Sequence, residues 1–312
     1  MDNLVNKIRL GMIGYNEGNG HPYSFSAIIN GYNQELLDKS PYPVIANYLK
    51  KRQKEEFGVK NLSVDFVWTP FPEISKNISE CCFIKNHSGH YLDFLDEIDA
   101  IIIARDDSET HIEIAKPFLD AGKKVFIDKP LCSNQNDLDF FIPYLKTGMV
   151  MSCSGFRFHP NSIDKQFLAE KTPKIVCASA ITTIDWNKYG IHLLEALHPL
   201  MDSPIFSIQN IGTQSNDFVK VTYENGKYAC IIKDNLLRGF TSNFYCSDGS
   251  HFQLDFNDNF TYFRNLLFEF QSFLTENKTT YDFKQTINLI EALIKANDSK
   301  VKGGISIAIN KP

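Results

Sequence analysis

The chain has 312 residues, of which 43% are hydrophobic and 22% charged, with a formal net charge of −5. That balance supports a packed core and excludes global disorder. A weakly acidic chain without a basic run argues against nucleic acid as partner, and no apolar run approaches the roughly 18 residues of a membrane span.

In chain order, Ile8–Ile13 is a short apolar run closed by a glycine and reads as a buried strand. Val64–Trp68 is a second, and Ile98–Ala104 ("IDAIIIA") is the clearest, with an apolar centre suited to a strand covered on both faces. Val125–Ile127 and Val150–Cys153 make five. Between them, Glu109–Ala121 carries Ile112, Ala115, Phe118 and Leu119 at helical spacing and stops before Gly122. Gln135–Leu145 is another helix. Such alternation predicts a doubly wound parallel sheet. Gly31–Lys60 is too long for a simple connection. "SPYP" breaks it and Val44–Phe57 then reads as a helix, so the segment is an insertion between the first two strands.

Beyond about residue 155 the pattern changes. Helices over Ser162–Glu170 and Gly190–Leu200 flank a strand, Lys174–Ile184. Strands follow at Ile205–Ile211, Phe218–Tyr223, Tyr228–Lys233, Thr241–Cys246 and Phe252–Phe256, with hairpin turns at "ENGK" and "SDGS". Helices near Tyr262–Glu276 and Phe283–Ser299 close the chain. The fold class expected is α/β: an N-terminal Rossmann-type doubly wound sheet plus a C-terminal α+β domain on a largely antiparallel, open sheet. Residues 1–130 form the dinucleotide-binding domain, with the fifth strand and linker reaching about 157. Residues 131–312 form the second, α+β domain, its last helix packing back. The N-terminus runs straight into a strand with no leader pattern, so a cytoplasmic protein is expected. Seven cysteines, none in a C-x-x-C pair, read as reduced, mostly buried thiols.

The first strand leads into "GMIGYNEGNGHPYSFSAIING", a glycine-rich turn before a helix. Glycine there lets backbone approach a pyrophosphate, and the helix start offers N–H groups. A regular G-x-G-x-x-G from Gly14 needs glycines where Asn16 and Asn19 stand; Gly18 and Gly20 are displaced. At the end of the second strand, where a carboxylate usually holds the ribose, stands Thr69. NAD and NADP both remain open.

"DAIIIARDDSETHIEIAKPFLDAGKKVFIDKPLCSN" resembles the middle of the cofactor domain in the Gfo/Idh/MocA family of sugar dehydrogenases and related oxidoreductases. His111 matches the family histidine opening a helix, Ala121-Gly122-Lys123 its A-G-K, and Asp128-Lys129-Pro130 its E-K-P. The resemblance continues through "SGFRFHPN" to "YGIH" and the last helix. It implies NAD or NADP, and hydride transfer on a secondary alcohol or ketone of a sugar, sugar nucleotide or sugar acid. It also implies that residues 131–312 are the substrate-binding and oligomerisation domain, in a homodimer or homotetramer. Two other readings stand beside it: a regulator that binds the nucleotide but has lost the chemistry, and an NAD-assisted glycosidase.

The expected cofactor contacts are Gly14, Tyr15, Asn16, Gly20, His21, Thr69, Ala104, Arg105, Asp106, His111, Asp128 and Lys129. "RDD" at 105–107 reads equally as an internal ion pair in a loop. Lys129 falls at the carboxyl edge of the sheet, where nucleotide folds place chemistry, and is one expected catalytic residue. His192 is the other, because it matches the histidine of the family's D-x-G-x-H. Lys188 stands where that motif has its carboxylate. Lys188 either recruits an anionic group on the substrate, or is replaced in its role by Asp185, or faces solvent. Arg157 and Tyr189 complete the expected substrate contacts. His192, Glu195 and His198 have poor spacing for zinc, and no metal is expected. His87 and His90 read as solvated loop histidines.

Overall fold

In the computed structural model, which describes residues 7–310, the chain divides into two compact units. The first comprises Met1–Asp128, Pro143–Ser152 and Phe263–Thr280; the second comprises Lys129–Ile142, Cys153–Tyr262 and Tyr281–Pro312.

The first unit is built on six parallel strands: β1 (Ile8–Ile13), β2 (Leu62–Trp68), β3 (Asn86–His87), β4 (Ala100–Ile103), β5 (Lys124–Ile127) and β6 (Val150–Ser152). Their order is β3-β2-β1-β4-β5-β6. All four residues of β4 are buried, as are the last four of β1, which is why these strands read as unbroken apolar runs. The order reverses between β1 and β4, the place where such sheets open for a ligand.

The helices up to β6 are α1 (His21–Asn30), α2 (Gln34–Asp38), α3 (Pro43–Leu49), α4 (Pro72–Cys81), α5 (His111–Asp120) and α6 (Gln135–Lys146). The insertion is shorter in helix than its pattern predicts: α3 ends at Leu49, not Phe57. Leu49 is its last buried side chain, and Lys50-Lys51-Arg52 follows. The chain then turns back at Gly58 (φ +95°), whose N–H donates to Ile28 O, so a continuing helix would lose the return to β2. Helix α4 and strand β3 escaped the sequence pattern. The latter has two exposed residues and no apolar period to read.

The second unit holds α7 (Pro160–Ile163), α8 (Lys165–Lys171), β7 (Ile175–Thr182), α9 (Trp186–Met201), β8 (Ile205–Asn210), β9 (Asn216–Tyr223), β10 (Tyr228–Asp234), β11 (Thr241–Cys246) and β12 (His251–Asp255). The chain closes with α10 (Asn259–Glu276), α11 (Phe283–Val301) and β13 (Ile307–Ala308). Seven strands run β12-β11-β7-β10-β9-β8-β13, antiparallel except for the parallel pair β7–β10. Burial alternates along β9 and β10, so one face is core, packed by α9 and α11. The other face leaves Phe218, Tyr228, Ile232 and Tyr245 exposed. The single helix expected over Ser162–Glu170 is two, because Asp164 leaves the helical region and its carboxylate caps α8 by accepting from Gln166 and Phe167 N–H.

Among the described residues no cysteine forms a disulfide, and no helix is long and apolar enough to cross a membrane.

Candidate active site

In the first unit the loop after β1 is fixed by close approaches that require glycine. A Cβ on Gly14 would stand 2.2 Å from Pro22 Cγ. One on Gly20 would stand 2.6 Å from Ile45 Cδ1 and 2.7 Å from Tyr42 Cδ1, so the insertion packs directly on the loop. Ring contacts from Tyr42 to Tyr15 and Tyr23 extend that packing.

Side chains tie the loop to the end of β4. Asn16 Nδ2 donates to Asp106 Oδ1 at 2.5 Å, and Asp106 N–H returns a bond to Asn16 Oδ1 at 3.1 Å. Arg105 Nη1 donates to Tyr15 O at 2.9 Å while its Nε donates to Asp107 at 2.9 Å. "RDD" is therefore an internal ion pair that also braces the glycine loop. His111 is buried, with Nε2 at 3.2 Å from Arg105 O, and holds the same turn from below. Ala104 N–H donates to Ile13 O, joining the ends of β1 and β4. Thr69 is buried and satisfied locally, its N–H donating to Ser75 Oγ and its hydroxyl to Phe71 O.

Helix α1 begins at His21 with fewer donors than a dinucleotide fold usually offers. His21 N–H is taken by Asn19 Oδ1 at 2.8 Å, Pro22 has none, and Tyr23 N–H turns back to Gly20 O. Side chains gather instead. His21 Nδ1 lies 2.5 Å from Asp128 Oδ2, to which Asn19 Nδ2 also donates at 3.3 Å. Sequence reasoning lists His21 and Asp128 but misses that they pair. The sheet reversal, the glycine turn and this polar cluster fit a dinucleotide.

In the second unit, α9 carries the histidine. Asp185 caps it, accepting Lys188 N–H at 3.0 Å, so this carboxylate serves the helix start. Gly190 lets Trp186 fold back: a Cβ there would stand 2.7 Å from the indole. The indole N–H reaches Leu293 O at 3.1 Å. The helix starts one turn before the expected Gly190, which puts Lys188, Tyr189 and His192 on regular helical positions.

Lys129 is 4% exposed, and its Nζ stands 5.3 Å from the Tyr189 ring centroid. His192 is also buried. Its ring lies 4.7 Å from Phe156, 5.5 Å from Phe240 and 5.8 Å from Tyr189, centroid to centroid. Its Nδ1 is 2.6 Å from Ser154 Oγ. Lys129, Tyr189 and His192 thus come together in an aromatic setting, and Phe156, Phe240 and Ser154 join them. Ser154 and Phe156 fall inside the "SGFRFHPN" stretch, where nothing marks their contact with His192, and no pattern marks Phe240.

Arg157 does not join them. It is buried, ion-paired with Glu195, bonded through Nη1 to Gln285 Oε1 at 2.8 Å, and stacked 4.3 Å over the Tyr281 ring. Burial pushes the Glu195 carboxyl above the usual carboxylate range, and Arg157 pulls it back. Burial, then the charge of Arg157, pushes His198 down to about 3. Glu195 and His198 are thus engaged with Arg157 in one core network. Among the described residues no group of three His, Cys, Asp or Glu side chains could hold a metal ion. His90 caps a short 3-10 helix by accepting Leu92 N–H, and His87 is exposed.

Comparison with known proteins bears on both units. Residues 8–150 match the model of the Gfo/Idh/MocA oxidoreductase family, NAD-binding Rossmann fold. No curated protein matches in sequence. Among solved structures, myo-inositol 2-dehydrogenase from Lactobacillus plantarum is similar with a TM-score of 0.75 and 12% identity, over 98% of this chain and 100% of that one. Scyllo-inositol dehydrogenase from Lactobacillus casei, with bound NAD(H) and scyllo-inositol, has a TM-score of 0.72 at 11% identity, over 97% and 99% of the two chains. A probable dehydrogenase from Thermotoga maritima gives 0.72 and 13%, over 96% and 98%. At these identities the likeness is one of fold.

Proposed function

We propose that this chain, whose residues 8–150 match the model of the Gfo/Idh/MocA oxidoreductase family with its NAD-binding Rossmann fold, is an NAD-dependent dehydrogenase acting on a secondary alcohol of a cyclitol, sugar or sugar acid. The observation that carries this reading is the Lys129–Tyr189–His192 group: a buried amine and a buried imidazole sharing one aromatic setting. Solved structures of like fold include one that holds NAD(H) and scyllo-inositol, which supports a polyol as substrate class.

NAD, when bound, supplies a hydride acceptor. Gly14, Tyr15, Asn16, Gly20 and His21 would hold its phosphates, and Ala104, Arg105 and Asp106 would line the loop beside them. Lys129 and His192 bond the reacting oxygen and handle its proton. Tyr189, with Phe156 and Phe240, gives the sugar ring an apolar face and keeps water from the amine. Lys188, in the first turn of α9, meets a carboxylate or phosphate on the substrate. The open face of the second sheet, with Phe218, Tyr228, Ile232 and Tyr245, supports a homodimer or homotetramer; sedimentation of a monomer alone would contradict that.

The test is reduction of NAD over a panel of inositols, sugars and sugar acids. Turnover of at least one polyol is expected. Tight NAD binding with no turnover across the panel would overturn the reading and favour a regulator.

A further inference from the structure

We propose that Ser154 is a positioning residue that keeps the ring proton of His192 on Nε2. His192 then meets the substrate oxygen as a hydrogen-bond donor, and the hydroxyl proton goes to Lys129. This rests on the reading of His192 and Lys129 as substrate contacts.

Ser154 follows β6 and precedes the single 3-10 turn Gly155–Phe158. It is 0% exposed, so no substrate reaches its hydroxyl and a nucleophilic role is excluded. Its oxygen accepts the Phe156 N–H at 3.1 Å and stands 2.6 Å from His192 Nδ1. A serine hydroxyl has one proton to give. Among the described residues Nδ1 is the acceptor within reach of that buried hydroxyl, and we assign the proton to this short contact. Nδ1 is then the acceptor, and a neutral imidazole carries its own proton on Nε2. A carboxylate in the same place would accept from Nδ1 and leave Nε2 bare, ready to act as a base. Serine here selects the opposite tautomer. A ring with Nε2 already protonated takes up no proton there. The alcohol O–H bond therefore breaks toward the Lys129 amine, where the new N–H bond forms.

The serine is itself held. Its backbone N–H supports the Glu195 carboxylate, and Glu195 is ion-paired with Arg157. Glu195 lies three residues after His192 on α9, on the neighbouring turn of the same face. The buried pair thus locks the turn that bears Ser154 to the helix that bears His192. A tilted contact with Phe156 and an edge-on contact with Phe240 limit rotation of the ring.

The direct test is nitrogen-15 NMR of the histidine rings in wild type, Ser154→Ala and Ser154→Thr, at a pH where the ring is neutral. His192→Gln assigns the signal. Wild type and Ser154→Thr are expected to show the Nε2–H tautomer, and Ser154→Ala a mixture. An Nδ1–H form in wild type, or no change in Ser154→Ala, overturns the proposal. In kinetics, Ser154→Ala should lower kcat about tenfold with KM within about twofold, and Ser154→Thr should stay within about threefold of wild type. Equal loss in both variants means packing alone and also overturns it. If no alcohol is oxidised, the functional reading fails, while the NMR arm still decides the tautomer.

Discussion

Replacing Arg157 by methionine separates two roles that the sequence leaves open, a ligand for substrate or phosphate and a core ion. Glu195 is 1% exposed and Arg157 is 4% exposed, so the variant leaves a carboxylate buried without its partner. Burial already pushes Glu195 upward, and removing the guanidinium removes the opposing pull. The folded variant then protonates Glu195, which at pH 7, well above the ordinary carboxylate range, costs roughly 4 kcal/mol. That agrees with the ~3–5 kcal/mol seen when one member of a buried pair is removed. The sign follows from the same account. The folded pKa lies above the unfolded one, so the deficit is smallest in acid and grows as pH rises. It should shrink to about 1 kcal/mol at pH 5. Urea unfolding followed by circular dichroism at both pH values measures it, with NAD titrated into each variant. A double variant, Arg157→Met with Glu195→Leu, should regain most of the loss. Stability within about 1 kcal/mol of wild type, together with weakened NAD or substrate binding, would refute the reasoning and restore Arg157 as a ligand.

Lys188→Ala should raise KM about tenfold or more for a substrate bearing a carboxylate or phosphate and leave a neutral polyol unchanged, since one charged hydrogen bond is lost. Equal KM values for both substrate types would remove Lys188 from the site. His198 is held neutral, its pKa lowered from 6.5 to about 3 by burial and then by Arg157. The unfolded chain therefore binds the extra proton in acid. The stability this group contributes is present above pH 6.5 and falls by about 2 kcal/mol between pH 6.5 and pH 5. His198→Leu should flatten that part of the stability–pH curve; an unchanged slope would contradict it.

The sheet core was legible in the sequence because its strands are buried on both faces. Ala100–Ile103 has no polar residue to blur the signal. Strand β3 was not, having only Asn86 and His87. For the site, the family resemblance pointed to Lys129 and His192, and the structure brings both against Tyr189. The roles of Arg157 and Asp185 were not legible, because a pattern of residue types does not tell an ion pair or a helix cap from a ligand. Ser154 was visible only as the first residue of "SGFRFHPN", with nothing there to mark its partner. Its part depends on a contact across 38 positions with His192, set by the packing of a turn on a helix. The glycine loop was half legible: the displaced glycines were visible, but the side-chain ties of Asn16 to Asp106 and His21 to Asp128 belong to tertiary structure.

The central claim is that Lys129 acts on a polyol oxidised with NAD. It is tested by reduced-nicotinamide formation in wild type and Lys129→Met on the same inositol panel, with NAD affinity measured for both. The account expects turnover in wild type, a loss of about a hundredfold or more in kcat for the variant, and NAD binding unchanged within about threefold. Turnover by Lys129→Met at the wild-type rate would contradict it.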